Sequence, residues 1–487
     1  MELCDDVDAT HPEAPAQVGF LRVRALLRLG RVPEALRVLE SFPTSGTGDV
    51  AATARMLTGA AYIRANEIER GLDILRQLQS EAWAAHPAIQ SEIALNCALA
   101  YFCQRNLNEA DRALGSVATN SDILYARALE YRGWIACARS KYALAADYFK
   151  LALEHLDQCR HHDRYMEANC AQILGALAIE RLDYETWSVV RERRAKIDWS
   201  AEGVQRPRFW LTMAAATFAF EMEGDELAAV TEARSAEMIA PTPAAHVEAL
   251  CRRAATVARA EERLSQHDHT AAAYDLFQTL DPKRFEDYDR LVPLILAKEL
   301  ALVGRTEEAR RVFALYKERP LTSPLFAMTG DPTRYANEKL IEGLIAEGSD
   351  ERARAHRAYL ESFLMFRRIG FTWRAVHAAL RLGWLRNEHA MFEYADQATC
   401  HLPPQSWLRQ QVARVPTDMV LRSLQPAQRD VLQLLCTGKM TDEIAAARGV
   451  SAGHVKNTVS DIYKAFRVRN RAELLSELLK RGVLKPA

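Results

Sequence analysis

The chain has 487 residues, enough for two or three domains, and its 49% hydrophobic and 26% charged residues are ordinary for a soluble globular protein. Its charge is unevenly distributed. Residues 417–487 contain twelve Lys/Arg and seven Asp/Glu, a net charge of +5, and the remainder has a net charge of −6. The basic C-terminal segment favours a polyanionic partner, and the acidic remainder does not match one.

The cysteines and the apolar runs predict a cytoplasmic protein. There are nine cysteines, an odd number, without any Cys-x-x-Cys pair, which is typical of free thiols in a reducing compartment. The first residues lack the apolar core of a signal peptide, and the longest apolar run, near 291–303, is interrupted by Lys298 and Glu299. We therefore expect no attachment to a membrane.

After a polar tail over residues 1–16, residues 17–415 contain a repeated pattern of small and large residues. In one copy, Gly133 is followed by Ala145, Phe149 and Ala152 at offsets of 12, 16 and 19 residues. This pattern predicts pairs of antiparallel helices in which small residues lie where the helices cross closely. We expect about ten such pairs. Copies with these offsets begin at Val23, Gly59, Ala98, Gly133, Ala297 and, less regularly, Gly343.

The repeat unit resembles the tetratricopeptide repeat, most clearly over residues 126–159. The resemblance implies an α-solenoid that binds a peptide, protein or small-molecule signal. Residues 163–281 keep the helical spacing but carry large aromatic residues in place of small ones. These aromatics either line a ligand groove on the concave face or fill the core between irregular repeats, and we favour the core. They are Trp187, Trp199, Phe209, Trp210 and Phe218.

The segment 424–487 predicts four short helices, of which the third has two different faces. Val455, Val459, Ile462 and Phe466 recur at spacings of four, three and four residues, so they form one apolar stripe that faces a core. The opposite face carries short polar groups and cations, which suit the floor of a DNA major groove. Its residues are Gly453, Lys456, Asn457, Ser460 and Lys464.

The residues just before this helix predict a helix-turn-helix. Thr441 is a suitable N-cap for a helix over 442–448, and Gly449 can adopt the left-handed conformation that ends it. We expect Val450 in the core and Ser451 as the cap of the next helix. Two helices joined by so short a turn cross steeply, as a DNA-binding motif requires.

The flanking residues complete the four helices. Pro426 favours the start of the first helix, and Asn470 and Glu473 have capping-box spacing before the last one, which Gly482 is expected to end.

These residues together resemble the LuxR-type (GerE-like) helix-turn-helix of bacterial transcription regulators. The resemblance covers about sixty residues and extends over most positions of that motif. The matching residues are Leu424-x-Pro426, Val431-Leu432, Gly438, Glu443-Ile444-Ala445, Ser451, Val455-Lys456, Ile462-Tyr463, Phe466-x-Val468 and Asn470-Arg471. The sequence departs from the family's usual residues at Gln425, His454, Thr458 and Ala465.

The resemblance implies a regulator that binds double-stranded DNA as a homodimer, with base contacts from Lys456, Asn457 and Ser460. It also favours activation through contact with RNA polymerase. We expect contacts to the DNA backbone from Thr441, Ser451, His454, Lys464, Arg469 and Arg471. The last helix would carry the dimer contact through Leu474, Leu475, Leu478 and Leu479.

The sequence offers no catalytic constellation, so we predict neither an enzyme nor a cofactor. Residues 436–441 resemble a phosphate-binding loop only in part, because the first glycine and the preceding strand are missing. The cluster 159–163 contains Cys, His and Asp, and the cluster 267–269 contains His and Asp. Both lack the spacing of a closed zinc site, and both are expected in connections between helices. We therefore predict no metal.

We interpret the chain as an all-α regulator with four parts: a tail over 1–16, a repeat domain over 17–415, a linker over 416–423 beside Pro416, and a DNA-binding domain over 424–487. It would bind an inverted repeat under control of a signal held by the repeats. The alternative is an interaction scaffold whose C-terminal module binds a protein and not DNA.

Overall fold

The computed structural model describes residues 14–28, 31–43, 48–81, 87–119, 122–160, 162–201, 203–257, 263–282, 285, 289, 291–318, 331–386, 388–466 and 468–480. Within these ranges the protein is all-helical and contains no strand, which confirms the predicted fold class. The α-helices are α1 (Ala14–Arg28), α2 (Val32–Leu39), α3 (Asp49–Arg64), α4 (Ile68–Gln79), α5 (Pro87–Cys103), α6 (Leu107–Leu114), α7 (Asp122–Ala138), α8 (Tyr142–Gln158), α9 (Arg164–Arg181), α10 (Tyr184–Lys196), α11 (Gln205–Phe218), α12 (Glu226–Met238), α13 (Pro243–Val257), α14 (Arg263–Gln278), α15 (Val292–Leu302), α16 (Thr306–Lys317), α17 (Asp331–Gly348), α18 (Arg352–Ile369), α19 (Thr372–Arg386), α20 (His389–Thr399), α21 (Trp407–Ser423), α22 (Pro426–Cys436), α23 (Thr441–Arg448), α24 (Ala452–Phe466) and α25 (Arg471–Lys480). A five-residue π-helix, Ala219–Glu223, follows α11.

Helices α1 to α20 form consecutive pairs, ten among the described residues, as the repeat pattern predicts. The offset of 16 residues corresponds to a close contact between the two helices of a pair. A Cβ atom added to Gly133 would lie 2.7 Å from the ring of Phe149, and one added to Gly59 would lie 3.0 Å from Cγ of Leu75. A side chain larger than glycine at these two crossings would force its neighbour to move.

The turn inside most pairs contains a residue in the left-handed conformation, two positions before the second helix. This residue is often not glycine: Asn66 has φ 67°, Ser140 has φ 56° and Leu182 has φ 56°. The following amide donates to a carbonyl five residues earlier, as Lys141 does to Ala136 at 2.8 Å, and this bond closes the first helix. The sequence gives no glycine signal at these turns.

The aromatic residues of the middle repeats belong mainly to the core. Trp187 is 4% exposed and stacks on Phe218 at 4.5 Å between ring centroids, and Phe209 and Phe218 are 0% exposed. Gly175 provides the space, since a Cβ there would lie 3.4 Å from the Trp187 ring. These three aromatics therefore lie in the core, the interpretation that the sequence favours, and the alternative of a ligand groove is wrong for them because their side chains are buried. Trp199 and Trp210 are half-buried, and the Trp199 indole N–H donates to the Arg194 carbonyl at 3.1 Å.

The chain divides into two compact units: Met1–Phe218 with Glu226–Ala375, and Ala219–Asp225 with Val376–Ala487. The residues predicted as a linker, 416–423, are helical and form the end of α21. Pro416 does not end the helix, contrary to what the sequence led us to expect, because it removes only one backbone donor and the helix continues past it.

The described residues of the two clusters considered as metal sites, 159–163 and 267–269, belong to a helix cap and to a helix. His162 Nε2 lies 2.8 Å from Glu167 Oε2, and Asp163 accepts from the Met166 amide at 3.2 Å as the N-cap of α9; His161 lies outside the described residues. Residues 267–269 lie within α14, so their expected place in a connection is wrong, because the helical segment there is longer than the pattern indicated. Within the described ranges, no group of three His, Cys, Asp or Glu side chains could hold a metal ion.

Among the helices that the structure describes, none has the length and apolar character needed to span a bilayer.

Candidate nucleic-acid interface

Helices α22 to α25 enclose a small core that fixes the position of α24. Val455 and Ile462 of α24 are 0% exposed and pack with Val431 and Leu435 of α22, Ile444 of α23 and their apolar neighbours. The predicted apolar stripe of α24 is confirmed, although Val459 is only half-buried. The other face of α24 is thereby turned outward.

The first two helices of this core are joined by specific polar contacts. Pro426 is the first residue of α22, as expected, and the Gln425 amide donates to Gln428 Oε1 at 2.8 Å. Arg448 at the end of α23 pairs with Asp430 of α22 at 3.2 Å and donates to the Ala427 carbonyl. These contacts hold α23 against α22.

The turn between α23 and α24 agrees with the prediction in part. Gly449 has φ 64° and ends α23, and the Ser451 hydroxyl oxygen accepts from the His454 amide at 3.2 Å as the cap of α24. Val450, expected in the core, is 37% exposed, because Ile444 and Val455 already fill the space below the turn.

The predicted cap of α23 is displaced by one residue. Thr441 is the first residue of the helix, and Met440 precedes it. The Met440 amide donates to Glu443 Oε2 at 2.6 Å, so a carboxylate and not the Thr441 hydroxyl satisfies the free backbone donor. Thr441 is half-buried at the surface of the domain.

The outward face of α24 carries the three residues predicted to read DNA bases. Lys456, Asn457 and Ser460 are all exposed and share one face of the helix. Within the described part of the chain they form no hydrogen bond or ion pair, so their donors and acceptors are available to a partner.

Gly453 lies on the same face, as the sequence predicts, although no base contact is assigned to it. A Cβ there would have Ser451 Oγ, at 3.9 Å, as its nearest neighbour, so no intramolecular contact explains the glycine. The signal in the sequence is a glycine in the first turn of a helix, where it costs stability relative to alanine.

The start of α25 confirms the predicted capping box, with a variation. Asn470 Oδ1 accepts from the Glu473 amide at 2.8 Å, and Glu473 Oε2 accepts from the amide of Arg469, the residue before the cap, at 2.8 Å. The expected end at Gly482 lies outside the described residues. Arg469 itself is exposed.

The four leucines predicted to form the dimer contact divide into two stripes. Leu474 and Leu478 are 0% exposed and belong to the domain core, so their assignment to an interface is wrong. Leu475 is half-buried and Leu479 is 41% exposed. Residues four apart share a stripe, and only one of the two adjacent stripes can face inward.

The Arg471 side chain makes contacts within the domain that the sequence did not predict. Its guanidinium donates to the Leu435 carbonyl at 2.5 Å and to the Lys439 carbonyl at 3.1 Å. A cation at the C-terminal end of α22 satisfies carbonyls that the helix leaves free. Arg471 therefore joins α25 to the end of α22, and its contact with a phosphate stays a prediction.

Four of the predicted backbone-contact residues remain exposed around α24. They are Ser451, His454, Lys464 and Arg469. Lys464 Nζ lies 3.5 Å from Oδ1 of Asp461, three residues earlier in α24. Such a loose surface ion pair is weak, so a phosphate can replace Asp461 as the partner of Lys464.

Comparison with known families agrees with this geometry. Residues 422–478 match the family "Bacterial regulatory proteins, luxR family", so this segment is a LuxR-family helix-turn-helix domain.

Two particular proteins extend the comparison. The chain is 31% identical over 111 residues to the "Putative HTH-type transcriptional regulator in exeN 3'region" of Aeromonas salmonicida, over 23% of this chain and 54% of that protein. It thus spans about half the length of that curated relative. The crystal structure of the apo form of RapI is similar over 73% of this chain and 98% of its own, at 11% identity and a TM-score of 0.51. This similarity is one of fold alone and agrees with the helical repeats of the present chain.

Proposed function

We propose that the protein is a sequence-specific transcription regulator that inserts α24 into the DNA major groove. The observation that carries this proposal is the face formed by Lys456, Asn457 and Ser460, which is exposed and whose side chains form no hydrogen bond or ion pair within the described chain. Lysine can donate to the guanine acceptors O6 and N7, and asparagine can pair with the N6 and N7 edge of adenine. Each good contact contributes about 1–3 kcal/mol of discrimination between bases.

The DNA backbone is contacted, in this proposal, by Lys464 and Arg469, with Ser451 and His454 beside the first turn of α24. The exposure of these four residues and the net charge of +5 over residues 417–487 support it. Such contacts position α24 without reading the sequence, and they make the affinity fall with salt concentration. Arg471 is not included, because its guanidinium is bound to the carbonyls of Leu435 and Lys439.

A homodimer on an inverted repeat is the arrangement that we propose for full affinity. The exposed stripe of α25 with Leu475 and Leu479 supports it, since apolar residues on a symmetric patch can pair with their own copies. Two-fold symmetry then places two α24 helices on half-sites about one helical turn apart.

The stripe can be tested with two substitutions in neighbouring positions. Leu479→Lys changes an exposed residue and should shift the sedimentation of the protein from dimer to monomer without loss of helical circular dichroism. Leu478→Lys changes a buried residue and should unfold the domain instead. A dimer that persists in Leu479→Lys would show that the interface does not include this stripe.

The proposal is tested by selection from a random DNA library with the full-length protein, in parallel with Lys456→Ala and Lys439→Ala. Lys439 is an exposed lysine of the same domain outside α24 and provides the matched control. We expect the wild type and the control to enrich one palindromic sequence that Lys456→Ala loses. Enrichment of no sequence, or the same enrichment with Lys456→Ala, would contradict the proposal.

The repeats are, in this proposal, the part that receives a peptide, protein or small-molecule signal. The support is their size and repeated helix pairs, since solenoids present extended surfaces to partners. Activation through RNA polymerase is the proposed output. Transcription in vitro from the selected sequence, with purified polymerase, would show stimulation if this is correct and repression or no effect if it is not.

A further inference from the structure

The N-terminal end of α21 is held by a group of aromatic and polar side chains that we call the α21 anchor: Phe220, Glu221, His377 and Trp407. Trp407, the first residue of α21, lies 5.6 Å from Phe220 and 5.8 Å from His377 between ring centroids, with interplanar angles of 28° and 25°. His377 Nε2 lies 2.8 Å from Glu221 Oε2. Phe220 is 3% exposed and Glu221 is 9% exposed, whereas His377 and Trp407 are half-buried.

The anchor includes the π-helix, Ala219–Glu223. A π-helical turn is rare and is found mostly at functional positions, since it is less favourable than a regular α-helical turn. Gly224, with φ 74°, follows it, and a Cβ there would overlap the backbone of Gln405. The backbones of 224 and 405 are therefore in direct contact, one residue before the Ser406 hydroxyl caps α21 by accepting from the Arg409 amide at 3.2 Å.

The other end of α21 runs directly into the helix-turn-helix domain. Ser423 is the last residue of α21, and Leu424, the next residue, is 4% exposed within the core of that domain. Helix α21 also lies against α24, and the π-helix, α21 and α24 all belong to the same compact unit. A helix of 17 residues spans about 25 Å, so α21 connects the anchor to the reading helix without a flexible segment.

We propose that Trp407, His377 and Glu221 are positioning residues that couple the π-helix to α24 through α21. The π-helix is continuous with α11, so a change in the π-helix would reach the DNA-binding face through α21. Coupling is reciprocal, and DNA bound at α24 must therefore alter the stability of the π-helix. This inference rests on the proposed DNA-binding function.

The test is hydrogen exchange of the full-length protein, with and without the selected operator DNA, followed by mass spectrometry. Peptides from α24 report direct contact, and peptides covering 219–225 report coupling. Operator should slow exchange in both segments of the wild type. Trp407→Phe, which keeps an aromatic ring, should preserve both responses. Trp407→Ala should keep the response of α24 and lose that of 219–225.

A purely structural role of Trp407 would raise exchange near the anchor with or without DNA and would leave the response of 219–225 to DNA intact. That result, or a wild type in which only α24 responds, would overturn the coupling. If α24 itself does not respond to any DNA, the proposed function fails instead. His377→Ala, which removes both the ring and the contact with Glu221, gives the same test if Trp407→Ala does not fold.

Discussion

Gly133 in the repeats and Gly453 in α24 both lie within helices, but their surroundings are opposite. A Cβ at Gly133 would lie 2.7 Å from the Phe149 ring, whereas one at Gly453 would find its nearest neighbour, Ser451 Oγ, at 3.9 Å. In the repeats a small residue is explained by the helix packed against it. In α24 no contact among the described residues explains the small residue. Under the proposed function, a DNA groove that approaches the helix closely would explain it.

The same contrast applies to polar side chains. Glu248 of α13 is 4% exposed, and its Oε2 has no hydrogen-bond partner among the described residues, whereas Lys456 of α24 is exposed. The carboxyl group of Glu248 is buried inside the repeats, whereas the amino group of Lys456 lies on the surface of α24.

Burial raises the pKa of the Glu248 carboxyl from 4.5 to about 8. The folded protein therefore holds this proton more tightly than the unfolded chain, and the free energy of unfolding falls as the pH rises from 4.5 to about 8. The loss is about 1.4 kcal/mol per pH unit. Glu248→Gln should remove this dependence in urea unfolding measured over a series of pH values.

The control for this series is Glu154→Gln, which changes an exposed acid in α8. It should leave the pH dependence as in the wild type. An unchanged slope in Glu248→Gln would show that the carboxyl is not enclosed as described.

Gly133→Ala should reduce the free energy of unfolding of the repeats by about 1–3 kcal/mol, because the added methyl overlaps Phe149, which is 0% exposed. Chemical unfolding measures this loss. Phe149→Leu on the same background should recover part of it, which a double-mutant cycle would detect. Independent, additive effects of the two substitutions would contradict the close crossing.

Gly453→Ala is the matched substitution in α24 and should have the reverse effect on stability. The helix gains about 0.5–1 kcal/mol, because alanine loses less conformational entropy than glycine and meets no neighbour. Affinity for the selected operator should fall, as measured by fluorescence anisotropy. A variant that is more stable and binds equally well would show that the DNA does not approach this residue closely.

Much of the fold follows from periodicity in the sequence. The offsets of 12, 16 and 19 residues place Ala145, Phe149 and Ala152 in the core, and the spacing of four, three and four places the apolar stripe of α24 inward. Side-chain direction in a helix is fixed by position along it, so these assignments need no tertiary information.

Contacts between distant helices could not be predicted in this way. Periodicity groups Leu474 with Leu478 and Leu475 with Leu479, but which pair is buried depends on where α25 docks. Arg471 binds carbonyls of α22, more than thirty residues earlier, and only the folded arrangement brings them together. The helical form of 416–423 likewise opposes the local proline signal.

A double-mutant cycle between protein and DNA measures whether Lys456 reads a base. Affinities of wild type and Lys456→Ala would be measured for the selected operator and for operators changed at one base pair at a time. We predict a coupling of about 1–3 kcal/mol confined to one G·C pair in each half-site. An equal loss of affinity for every sequence would contradict the claim and reduce Lys456 to a contact with the DNA backbone.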